Sequence, residues 1–314
     1  MWDITTMGEI LIDLTQAGED SQGIPLFAAV PGGAPANVAV AAARLGARCS
    51  FVGKVGQDGL GGYLRRVLED NGVDTSGLTA GEEATTMAVV ALTPAGERSF
   101  RFLRGADRAL TWEEVPQGVL EGTRMFHFGS VSLTEDPART AVLRAAGRAR
   151  ALGKLVSYDP NYRAPLWRSG EEARRRMLEP LPLVDLLKVS REELPLLSGT
   201  EDLEEGTARL AEAGPRLVLV TLGAEGAFYR WRGRTGRVPG VPVAVADTNG
   251  AGDSFLGAVL SRLARRGEHP LEALEVGELE EILAFANRAA ALTCSRRGAI
   301  PAMPTVTELE GDHP

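Results

Sequence analysis

From residue 124 onward this chain repeats one unit, a short apolar run followed by a helical pattern. "RMFHFG" precedes a helix over 137–152, "KLVSYDPN" one near 171–179, and "VDLLKVS" one from about 191. "RLVLVTLG" reads as a further strand with a hairpin-like "GAFYRWRGRTGRVPGVPV" behind it, and two helices, at about 253–265 and 278–296, close the chain. Strands separated by helices do not pair through tight turns. They lie parallel with helices on both faces, so the expected fold is α/β with a doubly wound, mainly parallel sheet.

The N-terminal part has the same grammar. "ITTMGEILIDL" (4–14) reads as one buried strand ending in Asp13, followed by the glycine turn of "PGGAPAN" and an Ala-rich helix over about 35–45. "RCSFVGKVG" is a strand, and "DGLGGYLRRVLEDNGV" an amphipathic helix stopped by Gly72. Residues 84–110 break the pattern, alternating in short runs around "PAGE", a hairpin signal. With "GIPLFAAVPGG" (23–33) they predict a small β-sheet set apart from the main body. The expectation is one domain over 1–314 with a discontinuous β lid from about 14–32 and 84–110, and a loosely held tail after Thr307. "MAVVAL" and "FRFL" give that lid an apolar face suited to a second copy of the chain, hence a homodimer.

The net charge of −8 works against nucleic acid as the main partner, because phosphate backbones need a positive footprint. It leaves room for a small anion in a local pocket. Cys49 and Cys294 are too few for a disulfide framework, and the N-terminus shows neither a basic flank nor an apolar core of signal length. No apolar run reaches 18 residues, so a reducing cytoplasm is expected and a membrane is not. His127, His269 and His313 lack metal-ligand spacing.

"DTNGAGDSFLGAVL" (247–260) carries the chemistry. A helix start exposes N–H groups without intrahelical acceptors, and glycine lets backbone approach a ligand closely. Gly250, Ala251 and Gly252 thus suit an anion cradle, and Asp253 beside them suits the proton of an attacking hydroxyl. The same residues also fit a plain turn with an acid in the first helical turn, and spacing leaves both open. No G-x-x-x-x-G-K-[ST] occurs, and "PGGAPAN" has the wrong spacing for a dinucleotide fingerprint. "VTLGAEGAFY" is compatible with a hairpin and with a loop along a nucleotide. Polar residues follow several strands: Asp13; Asp159, Asn161 and Arg163; Lys188, Ser190 and Glu193; and Thr221. Ligands of doubly wound sheets bind at such ends.

"PGGAPANVAVAAARLGARCSFVGKVGQDGLGGYLRRVLEDNGVDTSGL" and "DTNGAGDSFLGAVL" resemble the two signatures of the ribokinase-like (PfkB) carbohydrate kinase family, and the likeness runs from "GEILIDL" to "RRGAIPAMP". Within it, "GERSFRFLRGADRAL", "FHFGSVSL", "DPNYRAPLW" and "KVSREEL" are most similar to bacterial fructokinases. The resemblance implies ATP-dependent phosphorylation of a sugar hydroxyl, with Mg²⁺ accompanying ATP. Asp253 is then the base, and the amides of Gly250, Ala251, Gly252 and Asp253 the anion hole. Asp13, Gly32, Gly33 and Asn37 match sugar positions; Arg101 and Arg104 in the lid and Arg163 are sugar or phosphate contacts.

The resemblance further implies a nucleotide side made of Lys188, Ser190, Thr221, the turn Gly223, Ala224, Glu225 and Gly226, and Asn287 at the adenine. It places Glu193 near Mg²⁺ through water, and Asp247 and Thr248 at a monovalent cation such as K⁺. Ser190 stands where the family commonly has Asn, which leaves the magnesium role to Glu193. The implied activity is a fructokinase; the rivals are a 2-keto-3-deoxygluconate kinase, a nucleoside kinase and a non-catalytic sugar-binding regulator.

Overall fold

The structure, a computed structural model, describes residues 1–92 and 98–311. Its first departure from the sequence reading comes at Gly8. The run 4–14 is two strands in two different sheets, β1 (Trp2–Met7) and β2 (Leu11–Glu19). Gly8 has φ 151°, and a Cβ there would stand 2.7 Å from Pro35 Cγ, so the chain turns where glycine fits. Asp13 therefore lies inside β2 and not at a strand end.

The chain continues through β3 (Pro25–Gly32), α1 (Ala34–Arg44), β4 (Cys49–Gly56), α2 (Gly59–Asp70) and β5 (Val73–Gly81). Next come β6 (Met87–Leu92), β7 (Arg98–Leu103), α3 (Gln117–Glu121), β8 (Thr123–Gly129), α4 (Ala138–Ala151) and β9 (Leu155–Asp159). Then follow α5 (Gly170–Leu178), β10 (Leu186–Ser190), α6 (Glu193–Ser198), α7 (Leu203–Glu212) and β11 (Leu217–Thr221). The last elements are β12 (Ala227–Trp231), β13 (Arg234–Val238), α8 (Ala251–Ala264), α9 (Val276–Cys294) and α10 (Val306–Glu310).

Nine strands form the main sheet in the order β13-β12-β11-β10-β9-β8-β1-β4-β5, parallel except for the two pairings of β12. Its strands are apolar on both faces because both are covered. Ile4, Met125 and Leu219 pack with α1, α8 and α9, whereas Met7, Phe126, Val156 and Val218 pack with α4 to α7. The strand order runs one way from β1 toward β5 and the other way from β8 toward β11. The reversal at β1/β8 opens a crevice at their carboxyl ends.

The small sheet has the order β3-β2-β6-β7. Register aligns Asp13 with Ala88 and Ala88 with Phe102, so these three share one face and Arg101 and Leu103 take the other. The "PAGE" turn at 94–97 falls outside the described residues. The small sheet ends at Leu103, because residues 106–109 form a 3₁₀ turn with Ala106 and Asp107 buried. The tail is also tighter than expected. Thr305 and Glu308 make a capping box, and Arg296 and Arg262 each hold an acid of α10 at 2.5 Å, Glu308 and Glu310 respectively. Among the described residues no helix is long and apolar enough to cross a membrane.

Candidate active site

Residues 247–250 form the turn that launches α8. Asn249 N–H donates to Asp247 Oδ1 at 3.1 Å, and Gly250 adopts the left-handed conformation at φ 73°, where a Cβ would press on Ala299. The helix then buries Asp253 in its first turn. What brings a partner to that acid is close packing of α8 on α1. A Cβ on Gly257 would lie 2.5 Å from Ala41 Cβ, so this glycine and the alanines of α1 let the two helices approach. Asn37 Nδ2 thereby donates to Asp253 Oδ2 at 2.8 Å, and Asn161 Nδ2, from the loop after β9, reaches Oδ1 at 3.3 Å.

Asp253 lies in the wall of a cleft of about 390 Å³, together with Asp13, Gly33, Asn37, Asn161 and Arg163. Thr248, Gly250 and Phe102 also line it, so the cleft opens between α8 and the small sheet. Burial pushes the carboxyl of Asp253 up to about 6 against the hydrogen bond from Asn37, with Asp159 raising it further and Lys188 and Arg163 opposing. Asp13 is likewise pushed up to about 6 by burial, with Arg163 lowering it and Asp253 raising it. Gly32 makes room for that acid, since a Cβ there would stand 2.5 Å from Asp13 Oδ2.

Lys188 projects from β10 toward the α8 N-terminus, its Nζ 3.0 Å from where a Cβ on Gly252 would be. It donates to Asp159 Oδ2 at 2.8 Å in a pair that is buried on both sides. Burial works against its charge, yet Asp159, Glu193 and Asp253 hold its pKa above the ordinary lysine value. Glu193 fixes the neighbouring loops, accepting Tyr162 N–H at 2.5 Å and Ser190 N–H at 2.7 Å, while Ser190 Oγ accepts the Glu193 N–H at 3.2 Å.

The profile described as "pfkB family carbohydrate kinase" matches residues 1–306. The chain belongs to that family. It is similar to Fructokinase-1 of Oryza sativa subsp. japonica, 43% identical over 312 residues covering 98% of this chain and 96% of the relative. Fructokinase with bound ATP from Xylella fastidiosa is 35% identical with a TM-score of 0.91, covering 98% of this chain and 96% of that one. Fructokinase from Vibrio cholerae O395, in fructose, ADP and calcium ion bound form, is also 35% identical, with a TM-score of 0.86 and 98% coverage of both chains. The fold is thus the ribokinase-like α/β fold of this kinase family, a mainly parallel central sheet with helices and a separate small sheet.

Against that family frame, the residues expected at the sugar mostly converge. Asp13, Gly33, Asn37, Arg163, Gly250 and Asp253 share the cleft, and Gly32 borders it through Asp13. Two arginines do not. Arg104 is committed to Asp107 Oδ2 at 2.6 Å and to Thr134 Oγ1 at 2.9 Å, and Arg101 lies on the opposite face of the small sheet from Asp13. On the expected nucleotide side, Thr221 ends β11, and Gly223 and Gly226 take φ 59° and 96° in the turn that carries Ala224 and Glu225. Glu225 is exposed and pairs with Arg191 at 2.6 Å. Asn287 donates to Val238 O at 3.1 Å and Pro239 O at 2.9 Å, which pins the end of β13 to α9. None of Lys188, Thr221, the 223–226 turn or Asn287 lines the cleft that holds Asp253. Ala251 N–H turns to Thr248 O at 3.3 Å, which leaves Gly252 and Asp253 as the better placed amides of the cradle. Asp247 accepts Gly298 N–H at 3.1 Å, so Asp247 and Thr248 sit where the end of α9 meets the start of α8. Sequence reasoning gave Asn161 no role beyond its cluster, although an Asn two residues after a strand-end Asp was a usable signal. It missed Glu9, an acid buried in the cleft wall.

Proposed function

We propose that the protein is an ATP-dependent fructokinase, converting D-fructose and ATP to D-fructose 6-phosphate and ADP. The observation that carries this reading is the setting of Asp253, a buried carboxylate in the first turn of α8 with each oxygen held by an amide from a different element. The relatives named fructokinase, at about 43% identity over nearly the whole chain, support the choice of sugar.

The sugar lies against Asp13, the Gly32–Gly33 turn and Asn37, where carboxylate and amide groups suit hydroxyls. The 6-hydroxyl proton passes to Asp253 as O6 bonds to the γ-phosphorus, and the bond from that phosphorus to the ADP oxygen breaks. Asn37 and Asn161 keep Asp253 aimed at the cleft. The N–H groups at the start of α8, with Lys188 beside Gly252 and Arg163 on the cleft, face the charge that builds on the transferring group.

Mg²⁺, when bound with ATP, neutralises phosphate charge and keeps several waters. Glu193 fits that role through water, since each of its oxygens uses one lone pair on a backbone N–H and retains another. Asp247 and Thr248 supply the hard oxygen donors that a monovalent cation such as K⁺ needs.

The arginines favour a neutral sugar. With Arg104 neutralised by Asp107 and Arg101 facing away, Arg163 is left in the cleft to meet a carboxylate, so 2-keto-3-deoxygluconate is the rival substrate. The test is ADP release across fructose, 2-keto-3-deoxygluconate, ribose and adenosine. Fructose gives the largest kcat/KM if the reading holds; a larger value for another acceptor replaces fructose, and no turnover with any removes the kinase reading. The small sheet closes over the cleft as a lid, and its exposed Leu26, Phe27 and Leu103 join it to a second copy in a homodimer.

A further inference from the structure

Glu9 takes no part in the reaction above, yet it is 2% exposed in the wall of the cleft. It sits where the chain crosses from β1 to β2. Its Oε1 accepts the Ala34 N–H at 3.0 Å, at the start of α1, and its Oε2 has no partner among the described residues. The Glu9 backbone is engaged as closely. Gly33 has φ 109°, and a Cβ there would fall 2.5 Å from Glu9 O. Glu9 therefore holds the Gly33–Ala34 link through its side chain, its backbone carbonyl packing close against Gly33, and that link lines the cleft next to Asn37.

Asp107 and Arg104, on the chain's return from β7, are the charged side chains that act on the Glu9 carboxyl. Asp107 accepts the Thr86 hydroxyl, and Thr86 Oγ1 accepts Gly105 N–H at 2.7 Å. Thr86 is the residue before β6, so the four passages between the two sheets gather around one carboxyl and its neighbours. Burial pushes that carboxyl up to about 7 against the pull of its own backbone N–H, with Asp107 raising it further and Ala34 N–H and Arg104 lowering it, so a glutamine is a fair mimic of its protonated form.

We propose that Glu9 is a positioning residue whose carboxyl fixes the Gly32–Gly33–Ala34 turn against the small sheet and so sets the sugar side of the cleft. In naming the sugar, the proposal rests on the kinase reading. Glu9→Gln keeps the acceptor for Ala34 N–H, whereas Glu9→Ala removes it. Steady-state kinetics use the full chain and the panel acceptor that the wild type turns over fastest. Glu9→Ala is expected to raise the KM for that acceptor roughly tenfold or more, with KM for ATP and kcat within about threefold of wild type. Glu9→Gln is expected to restore the acceptor KM to within about twofold. An unchanged acceptor KM in Glu9→Ala, an equal rise in both KM values, or no rescue by glutamine overturns the proposal.

Amide hydrogen exchange at Ala34 tests it without a substrate. The exchange is expected to be about tenfold faster or more in Glu9→Ala and unchanged in Glu9→Gln. If no acceptor in the panel is phosphorylated, the kinase reading fails while exchange at Ala34 still decides the role of Glu9. Should Glu9→Ala not fold, Glu9→Asp, one methylene shorter, takes its place in both measurements.

Discussion

Asp253 has to be buried and ionised at once, and the two demands conflict. Its pKa of about 6 in the fold, against an ordinary 3.8, means that the folded state holds this proton more tightly than the unfolded chain does. The resulting stabilisation is complete below about pH 4 and is lost as pH rises through about 6. Above that, the fold carries an ionised carboxylate that suits the reaction and not stability. Asp253→Asn is therefore expected to lower kcat by about 10²–10⁴. The same change should raise Tm at pH 8 by about 2 °C or more, a gain that fades toward pH 4 in scanning calorimetry. Asn37 Oδ1 has no partner among the described residues, so its amide can turn to accept from the new side chain. A variant with near-normal turnover would remove Asp253 as the base. In the wild type, kcat/KM is expected to fall as pH drops below about 6. Asp13 is raised to a similar value in the same cleft, so that acid limb belongs to the pair.

At the scale of elements, β9 and β10 are joined at their carboxyl ends by the buried Lys188–Asp159 pair. Removing one member leaves the other charged and unpaired. Lys188→Met should lose roughly 3–5 kcal/mol in urea unfolding, and adding Asp159→Asn should recover much of that loss. If Lys188→Met is as stable as wild type, the pair is not holding these strands. The α1–α8 contact has a different weak point. Gly257→Ala must push Ala41 away, with an expected cost of about 1–3 kcal/mol and a fall in kcat, because Asn37 moves with α1. Local pattern read the long elements well, with α1, α4, α8 and α9 all falling within two residues of their expected ends. It left out α7, where Gly206 reads as a breaker. That glycine is a packing site, since a Cβ there would lie 2.9 Å from Leu194 of α6. The strand break at Gly8 was hidden for the opposite reason, because apolar residues continue on both sides of it.

For the whole molecule, the small sheet is too thin to cover its own apolar side chains. Leu26, Phe27 and Leu103 are each about half exposed, at 49%, 48% and 48%. Edge strands that present such groups invite pairing or packing with another chain. Light scattering at micromolar concentration should give a mass near twice 33.3 kDa, and Phe27→Glu should shift it toward the monomer. A monomer mass for the wild type would remove the dimer. Because the cleft is walled by the small sheet on one side, loss of the dimer is expected to raise KM for the sugar more than it lowers kcat.

The sequence by itself determined the layered α/β architecture, the glycine turn before α8 and the acid in its first turn. These follow from periodicity and from conformations that glycine permits, and both are local. That Arg104 reaches Thr134, which face Arg101 takes, and that Glu9 holds the start of α1 were decided by the tertiary structure alone. Sheet register sets the face of Arg101, and the contacts of Arg104 with Thr134, Glu9 with Ala34 and Asn161 with Asp253 span 30, 25 and 92 positions along the chain. Distances of that kind have no signature in residue spacing, because they are set by which strands neighbour one another and how closely the helices between them can pack.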